Sequence, residues 1–499
     1  MKAKLTFIIL IIALSFTACK DNEDSNSDSD LTDEEYTNKW IYDRMERVYL
    51  WNDELPASPN YTQNPDKFFY NILYKYKDVN GDRFSWIEED VSKKTKSLYA
   101  DTSLGFDYIP YSYFPTKTDQ NSSIGLFIIS VNKGSDAEAK GLKRGQIIYK
   151  IDETPLTYEN YSVIFEGRTS FKLSVYNKDG IKQTLETIQA SATKTSPVFI
   201  SKVIKSLGTS IGYLMYNAFE RGTDEDGSNY DYDIELIESM QTLNNQGITE
   251  FVLDLRYNLG GYLTSAMDLA SALYKDRTTS KIFAKETYNK YFSDSLVAKY
   301  GSNGFNEYFL DKVYNTNIEI PRLNISRVYI IATENSASAS ELLIHSLRPY
   351  MTVYHVGKTT VGKDKGSITI KAESDRIKWQ LQPIVSRITD ANGEGNYIYG
   401  LTPDYEVSEW EEGYEMVDAY YEDDNGVRQE TRIPILDTWK GGFSELGDSS
   451  EPLLAEAIAQ ITGIARVKTT KSIAHTDWVA KKVPFIEQSK KRAKILLDK

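Results

Sequence analysis

Three serines alternate with small residues in ENSASASELLIHSLRP, Glu334 to Pro349, just before an amphipathic run. A serine hydroxyl at the start of a helix can attack a carbonyl carbon. It then needs a base to take its proton and N–H donors to hold the oxyanion. The first backbone N–H groups of a helix have no intrahelical acceptor, so the residue after such a serine offers one of those donors. The same letters also have a purely structural reading. Ser338 and Glu341 show the S-x-x-E spacing of a capping box, which closes a helix N-terminus without any chemistry.

The base narrows the choice. The chain holds three histidines: His345, His355 and His475. His345 lies two helical turns beyond Ser338, about 10 Å away by helical rise and out of hydrogen-bond reach. His355 begins another loop, and His475 sits in a basic tail. A lysine can replace histidine if a dry pocket keeps it neutral. Lowering an amine pKa from about 10.4 to about 7 costs roughly 4–5 kcal/mol. Lys358, Lys363 and Lys365 lie together in GKTTVGKDKGS, and spacing alone does not separate them.

The elements around these residues set where they meet. From Val198 onward, strand-like and helix-like runs alternate: IGYLMYNAF, then YDIELIESMQTLNNQG, EFVLDL, LTSAMDLASALY, RVYIIAT, the serine segment and MTVYHVG. Such alternation predicts parallel strands with crossover helices, with ligands bound beyond the strands' carboxyl ends. The loops RYNLGG and TENSAS fall at those ends. From about Tyr36 to Glu89, apolar residues at helical spacing predict a small helical domain. From about Thr102 to Ala190 the pattern is strand-like, with a turn at Lys133–Ser135, a short helix over Asp136–Lys140 and a strand over Ile147–Ile151.

This β-rich stretch resembles a PDZ domain. SLGF, Ser103 to Phe106, stands where the resemblance puts the carboxylate-binding loop, so Leu104, Gly105 and Phe106 are the peptide-binding residues it implies. The alternative is a small β-domain that only packs against its neighbour. DLRYNLGG, SASASE and VGKTTVGK, in this order behind a PDZ-like stretch, resemble the carboxyl-terminal processing peptidases, or tail-specific proteases. YGLTPDYEV and LGDSSEPLLAEAIAQITG resemble that family's closing strand and helix, and the likeness runs from Thr102 to Gly463.

The resemblance implies a multidomain α/β protein with a crotonase-like catalytic domain built on a mainly parallel sheet. It implies a serine endopeptidase acting on the C-terminal segments of polypeptides, without cofactor or metal. The nucleophile would be Ser338 and the base Lys363, with the backbone N–H groups of Gly261 and Ala339 as oxyanion donors. Asp254 and Arg256 would anchor the oxyanion turn. Two positions depart from the family pattern. Ser367 stands where many relatives carry a lysine-orienting glutamine, and Pro349 where some carry an aspartate. A non-catalytic peptide- or ligand-binding lipoprotein, or an esterase with the same dyad, are the competing readings.

Composition bounds the rest. The chain has 499 residues and a net charge of −14, which disfavours binding to phosphate backbones, so no nucleic-acid partner is expected. Its one cysteine, Cys19, excludes a disulfide framework. Lys2, Lys4, an apolar stretch and FTAC read as a secretory signal with Cys19 as the lipidated residue. That places the protein in a bacterial cell envelope, membrane-bound through its lipid. The expected division is residues 1–19 signal, 20–33 acidic tether, 34–98 helical domain, 101–191 PDZ-like domain, 196–465 catalytic domain and 466–499 tail. The tail carries ten Lys/Arg against three Asp/Glu and either touches anionic lipid or a partner, or is solvated or self-docking. TDEDGSNYDYD, near Asp224 to Asp233, lacks the ends of a calcium loop and reads as a solvated acidic loop.

Overall fold

Buried runs of β-branched and aromatic residues, each followed by an amphipathic run, fold as a layered unit in the computed structural model. It describes residues 30–90, 103–116, 122–165, 167–177, 180–191, 196–222, 228–301, 305–409, 415–422, 428–435, 444–465, 472–473 and 494–496. The central sheet orders its strands Val198–Ser206, Thr209–Tyr216, Glu250–Asp254, Arg327–Ala332, Thr352–Gly357 and Tyr405–Glu406. The first pair is an antiparallel hairpin, and every later pair is parallel. The mainly parallel sheet expected from the alternation is therefore present.

Strand alternation divides the core. Leu214, Tyr216, Phe251, Leu253, Val328 and Ile330 pack with the helices Asp231–Asn245, Leu263–Leu273 and Ala339–Leu347. Ile211, Tyr213, Met215, Val252, Tyr329 and Ile331 face Leu453, Leu454 and Ala457 of the helix Pro452–Thr462. Both faces are covered, as parallel sheets require.

A second six-stranded sheet lies beside the first. It orders Gly260–Tyr262, Lys494–Leu496, Lys365–Ser367, Ile384–Thr389, Ile282–Tyr288 and Asn306–Tyr308. Four of these strands are three residues long, too short to carry a period, and so the sequence reading contained no second sheet.

The β-rich unit is a separate sheet of Phe106–Tyr113, Ser123–Val131, Ile147–Ile151, Leu173–Tyr176 and Lys182–Thr184. Its helix, Asp136–Ala139, is capped by Ser135, whose hydroxyl accepts the Glu138 N–H at 3.1 Å.

At the N-terminal end, the helices Asp33–Val48 and Pro65–Asn71 form as expected, the first with a complete Thr32/Glu35 capping box. The wholly helical unit expected over 34–98 needs correction. Trp86–Glu89 is a strand paired antiparallel with Trp379–Gln382, and Leu381 enters the core of the helices. Residues 91–98 lie outside the described residues, as do Cys19, the whole signal and most of the tether and tail. Among the described residues no helix is long and apolar enough to cross a membrane, and no acidic or His/Cys cluster could hold a metal.

Candidate active site

Ser338 closes the turn between the strand Arg327–Ala332 and the helix Ala339–Leu347. Its backbone sits at φ 64°, ψ −114°, a region that non-glycine residues avoid at a cost of about 1–3 kcal/mol. The residue is fully buried, and its Oγ has no hydrogen-bond partner among the described residues. Only half of the capping box therefore forms. The Glu341 carboxylate accepts the Ser338 N–H at 2.7 Å, while the serine hydroxyl is left without a helix N–H to accept.

Glu341 also ties the helix to the glycine–lysine turn. Its Oε2 accepts both the Ser338 N–H and the Lys363 N–H, the latter at 2.9 Å. Its Oε1 accepts the Gly362 N–H at 2.6 Å and the Thr360 hydroxyl at 2.5 Å. Burial pushes the Glu341 carboxyl above its ordinary value, against the pull of these four hydrogen bonds. Sequence reasoning took Glu341 for a capping residue. Its S-x-x-E spacing carried no sign that the second partner would be a loop over twenty residues away.

Lys363 is 1% exposed, and its Nζ lies 5.4 Å from the centroid of the Phe84 ring. The turn before it needs glycine. Gly362 has φ +89°, and a Cβ there would sit 2.4 Å from the Ile398 carbonyl oxygen. Arg83 clamps that turn, donating from Nη2 to the Gly362 and Ile398 carbonyls at 2.9 and 2.8 Å. The competing lysines have other partners. Lys358 pairs with Glu406 at 3.0 Å near the surface, and Lys365 pairs with buried Asp364 at 2.5 Å.

The histidines are engaged elsewhere. His345 Nε2 meets the Glu394 carbonyl at 2.9 Å. His355 lies within the strand Thr352–Gly357, not at a loop, and its Nε2 meets the Ala332 carbonyl at 3.0 Å. His475 lies outside the described residues. Burial holds the His355 imidazole below its ordinary 6.5, with Arg348 adding to the depression and the Ala332 carbonyl and Asp404 opposing it. The unfolded chain then takes up this proton first on acidification. The neutral ring's contribution is whole above about pH 6.5 and declines below it, by at most about 1.4 kcal/mol per pH unit. Denaturation of wild type and His355→Gln at pH 7 and pH 5 should show wild type losing more stability than the variant. Equal losses would contradict this.

The turn after Glu250–Asp254 is locked onto the serine loop. The Ser336 hydroxyl donates to the Leu255 carbonyl at 2.7 Å, and the Thr333 hydroxyl to the Arg256 carbonyl at 2.6 Å. The Asn258 carbonyl accepts the Ser340 hydroxyl at 2.9 Å and the Ala337 N–H at 3.1 Å. The Asn258 side chain bridges Tyr216 and Gly260, each at 2.9 Å. Gly261 has φ +145°, and a Cβ would stand 2.0 Å from the Phe219 carbonyl oxygen. Ala339, one residue past Ser338, is the first residue of its helix.

A buried ion cluster underlies this turn. Arg256 meets Asp254 at 2.7 Å, Glu451 at 2.7 Å and Glu409 at 3.0 Å. Arg144 of the β-rich unit reaches the same Glu409 at 3.0 Å and the Tyr257 hydroxyl at 2.8 Å. The sequence reading of Asp254 and Arg256 as anchors matches these contacts. Glu409, Glu451 and Arg144 lay outside that reading.

Ser367 follows Lys363 on the strand Lys365–Ser367, and its Oγ accepts the Gln382 Nε2–H at 3.0 Å. Thr369 fixes Gln382 from the other side, donating to its Oε1 at 2.7 Å. Leu104, Gly105 and Phe106 belong to the β-rich unit and share none of these contacts. There Gly105 has φ +82° against Ser135, and Phe106 is buried between Phe165 and Phe171. The fold thus gathers Ser338, Ala339, Gly261 and Lys363 around one corner of the sheet, with Ser367 one strand on.

Residues 210–407 match Peptidase family S41, and residues 36–86 match the Peptidase S41 N-terminal domain. A crystal structure from Bacteroides fragilis, named for the S41 proteases, shares 25% identity at a TM-score of 0.64 and covers 86% of this chain and 98% of its own. Carboxyl-terminal-processing peptidase 2 of Arabidopsis thaliana is 24% identical over 54% of this chain and 48% of its own length. The carboxyl-terminal-processing protease of a Picosynechococcus species is 25% identical over 58% of this chain and 63% of its own. Carboxy-terminal processing protease CtpB of Bacillus subtilis is 27% identical over 48% and 44%. The chain thus spans about half the length of these curated relatives. With its motifs, layered fold and serine turn agreeing with both domain matches, the chain belongs to peptidase family S41.

Proposed function

We propose that the chain is a serine endopeptidase in which Lys363 is the base for Ser338, acting on the C-terminal segments of polypeptides. The observation that carries the reading is the shared Glu341 oxygen. One carboxylate oxygen accepts the N–H of both residues, holding the two backbones together at a buried sheet corner. A buried amine favours its neutral form, and an unpaired buried hydroxyl is available to it. Lys363 takes the Ser338 proton as Oγ adds to the peptide carbonyl. The Gly261 and Ala339 N–H groups hold the oxyanion, Lys363 returns the proton to the leaving amine, and water resolves the acyl-enzyme. Ser367, steadied by Gln382, stands in for the missing glutamine as the group that orients the lysine.

On this reading the layered unit is the crotonase-like catalytic domain and the β-rich unit is PDZ-like. Its Leu104–Phe106 loop receives a substrate's end. Cys19 carries a lipid anchor in a bacterial cell envelope, a placement supported by the signal-like run before it.

Gly261→Ala tests the oxyanion turn. Its methyl group meets backbone oxygen, so the turn must move, and loss of one oxyanion donor lowers kcat about 10²–10³-fold. Kinetics beside a thermal melt check this; wild-type kcat would contradict it.

The experiment for the whole reading is incubation with unstructured polypeptides of varied C-termini, with products mapped by mass, beside a small-ester assay. Internal cleavage that depends on both Ser338 and Lys363 is the expected result. Binding without cleavage would establish a non-catalytic lipoprotein, and ester turnover alone would establish an esterase.

A further inference from the structure

The second sheet contains a strand that no function so far uses. Lys494–Leu496 lies between the oxyanion strand Gly260–Tyr262 and the strand Lys365–Ser367, two residues past Lys363. It runs parallel to the first with Ile495 opposite Gly261, and parallel to the second with Leu496 opposite Ser367. Apart from this segment, no other strand in that sheet's order joins those two strands. They leave a slot one strand wide, roughly 9–10 Å across.

The ladder shows what the segment covers. Phe219 takes the Gly260 carbonyl at 3.0 Å and the Tyr262 N–H at 2.7 Å. Successive backbone groups of a strand point to opposite edges, so the Gly261 N–H and carbonyl face the edge where Lys494–Leu496 runs. In a parallel ladder, an N–H meets the carbonyl one residue before its partner. The Gly261 N–H therefore faces the Lys494 carbonyl. This is how a peptide would present a carbonyl to that donor, and strand addition is a general mode of peptide recognition. The chain can reach: about thirty residues separate the helix Pro452–Thr462 from Lys494, on the order of 100 Å fully extended.

We propose that Lys494–Leu496 is an intramolecular peptide ligand of the catalytic cleft, which a substrate must displace before it reaches the Gly261 N–H. The proposal rests on reading the cleft as a peptide-binding site. It names the ligand as extended main chain flanked by basic and aliphatic residues, here KKRAKILLDK over 490–499.

The test uses binding, which does not depend on the Ser338–Lys363 chemistry. A fluorescent peptide of sequence 490–499 is titrated into Ser338→Ala protein, as the full chain and as a chain ending at residue 489. A Leu496→Pro full chain is the second variant, because proline removes the N–H that would meet the Gly261 carbonyl. The expected result is binding at least about ten-fold tighter to the shortened and proline variants than to the full chain. Equal affinities, or no binding to any form, would overturn the proposal. With Ser338 present, several-fold faster polypeptide cleavage on shortening supports it. Lys363-dependent cleavage at an unchanged rate would overturn it while leaving the dyad intact.

Discussion

Lys363→Met is expected to lower kcat for polypeptide cleavage by about 10³-fold or more while the protein keeps its fold. Methionine is close to lysine in reach and shape, and the side chain lies against Phe84 in a buried site. Methionine fills about the same volume, and such volume-conserving swaps usually cost less than about 1.5 kcal/mol of packing. Loss of rate without loss of melting temperature therefore separates a chemical role from a structural one. Lys363→Arg should fail as badly, because guanidinium stays protonated and cannot accept the serine proton. Lys358→Met is the control. Its partly exposed pair with Glu406 contributes little, and activity should stay within about two-fold. A Lys363→Met enzyme with near-wild-type kcat would remove the dyad.

Arg256→Met is expected to destabilise the fold by about 3–5 kcal/mol. Asp254, Glu409 and Glu451 converge on one guanidinium, and all four side chains are essentially excluded from water. Without it, carboxylates remain buried with too little positive charge. Burial alone would push the Glu451 carboxyl up, but Arg256 and Arg144 outweigh it and hold the group below its ordinary value. A depressed carboxyl contributes stability that is present above about pH 4.5 and is lost as pH falls through the folded-state value. The gap between wild type and Arg256→Met should therefore be widest near neutrality and narrow toward pH 4. Urea denaturation at the two pH values measures it. A pH-independent gap would contradict the assignment of the cluster as charged. The same substitution should slow catalysis, because the turn bearing Gly261 begins at Arg256.

Local pattern carried much of this fold into view. The alternation from Val198 onward predicted four parallel strands of the central sheet to within a few residues, because buried parallel strands and their helices write their own periods. The loops RYNLGG and TENSAS were found because glycine and serine at strand ends have few other uses. What stayed hidden depends on partners far away in sequence. Arg83 holds Gly362 from the N-terminal unit, Gln382 steadies Ser367 from another strand, and Arg144 crosses from the β-rich unit to Glu409. No period or motif records such pairs. Trp86–Glu89 read as part of a helical region because its aromatic content matched its neighbours; its partner strand lies nearly three hundred residues on. Spacing alone left Lys358, Lys363 and Lys365 equal; in the fold the Glu341 carboxylate holds the Lys363 N–H beside that of Ser338.

The most direct measurement is site-mapped acylation. Wild-type protein and Lys363→Met are treated with a serine-directed acylating reagent, digested, and the modified residue is located by mass spectrometry over a time course. The expected outcome is a single adduct on Ser338, formed rapidly in wild type and at least about 10²-fold more slowly in Lys363→Met. Equal rates in the two proteins, or an adduct on another serine, would mean that the amine does not activate this hydroxyl.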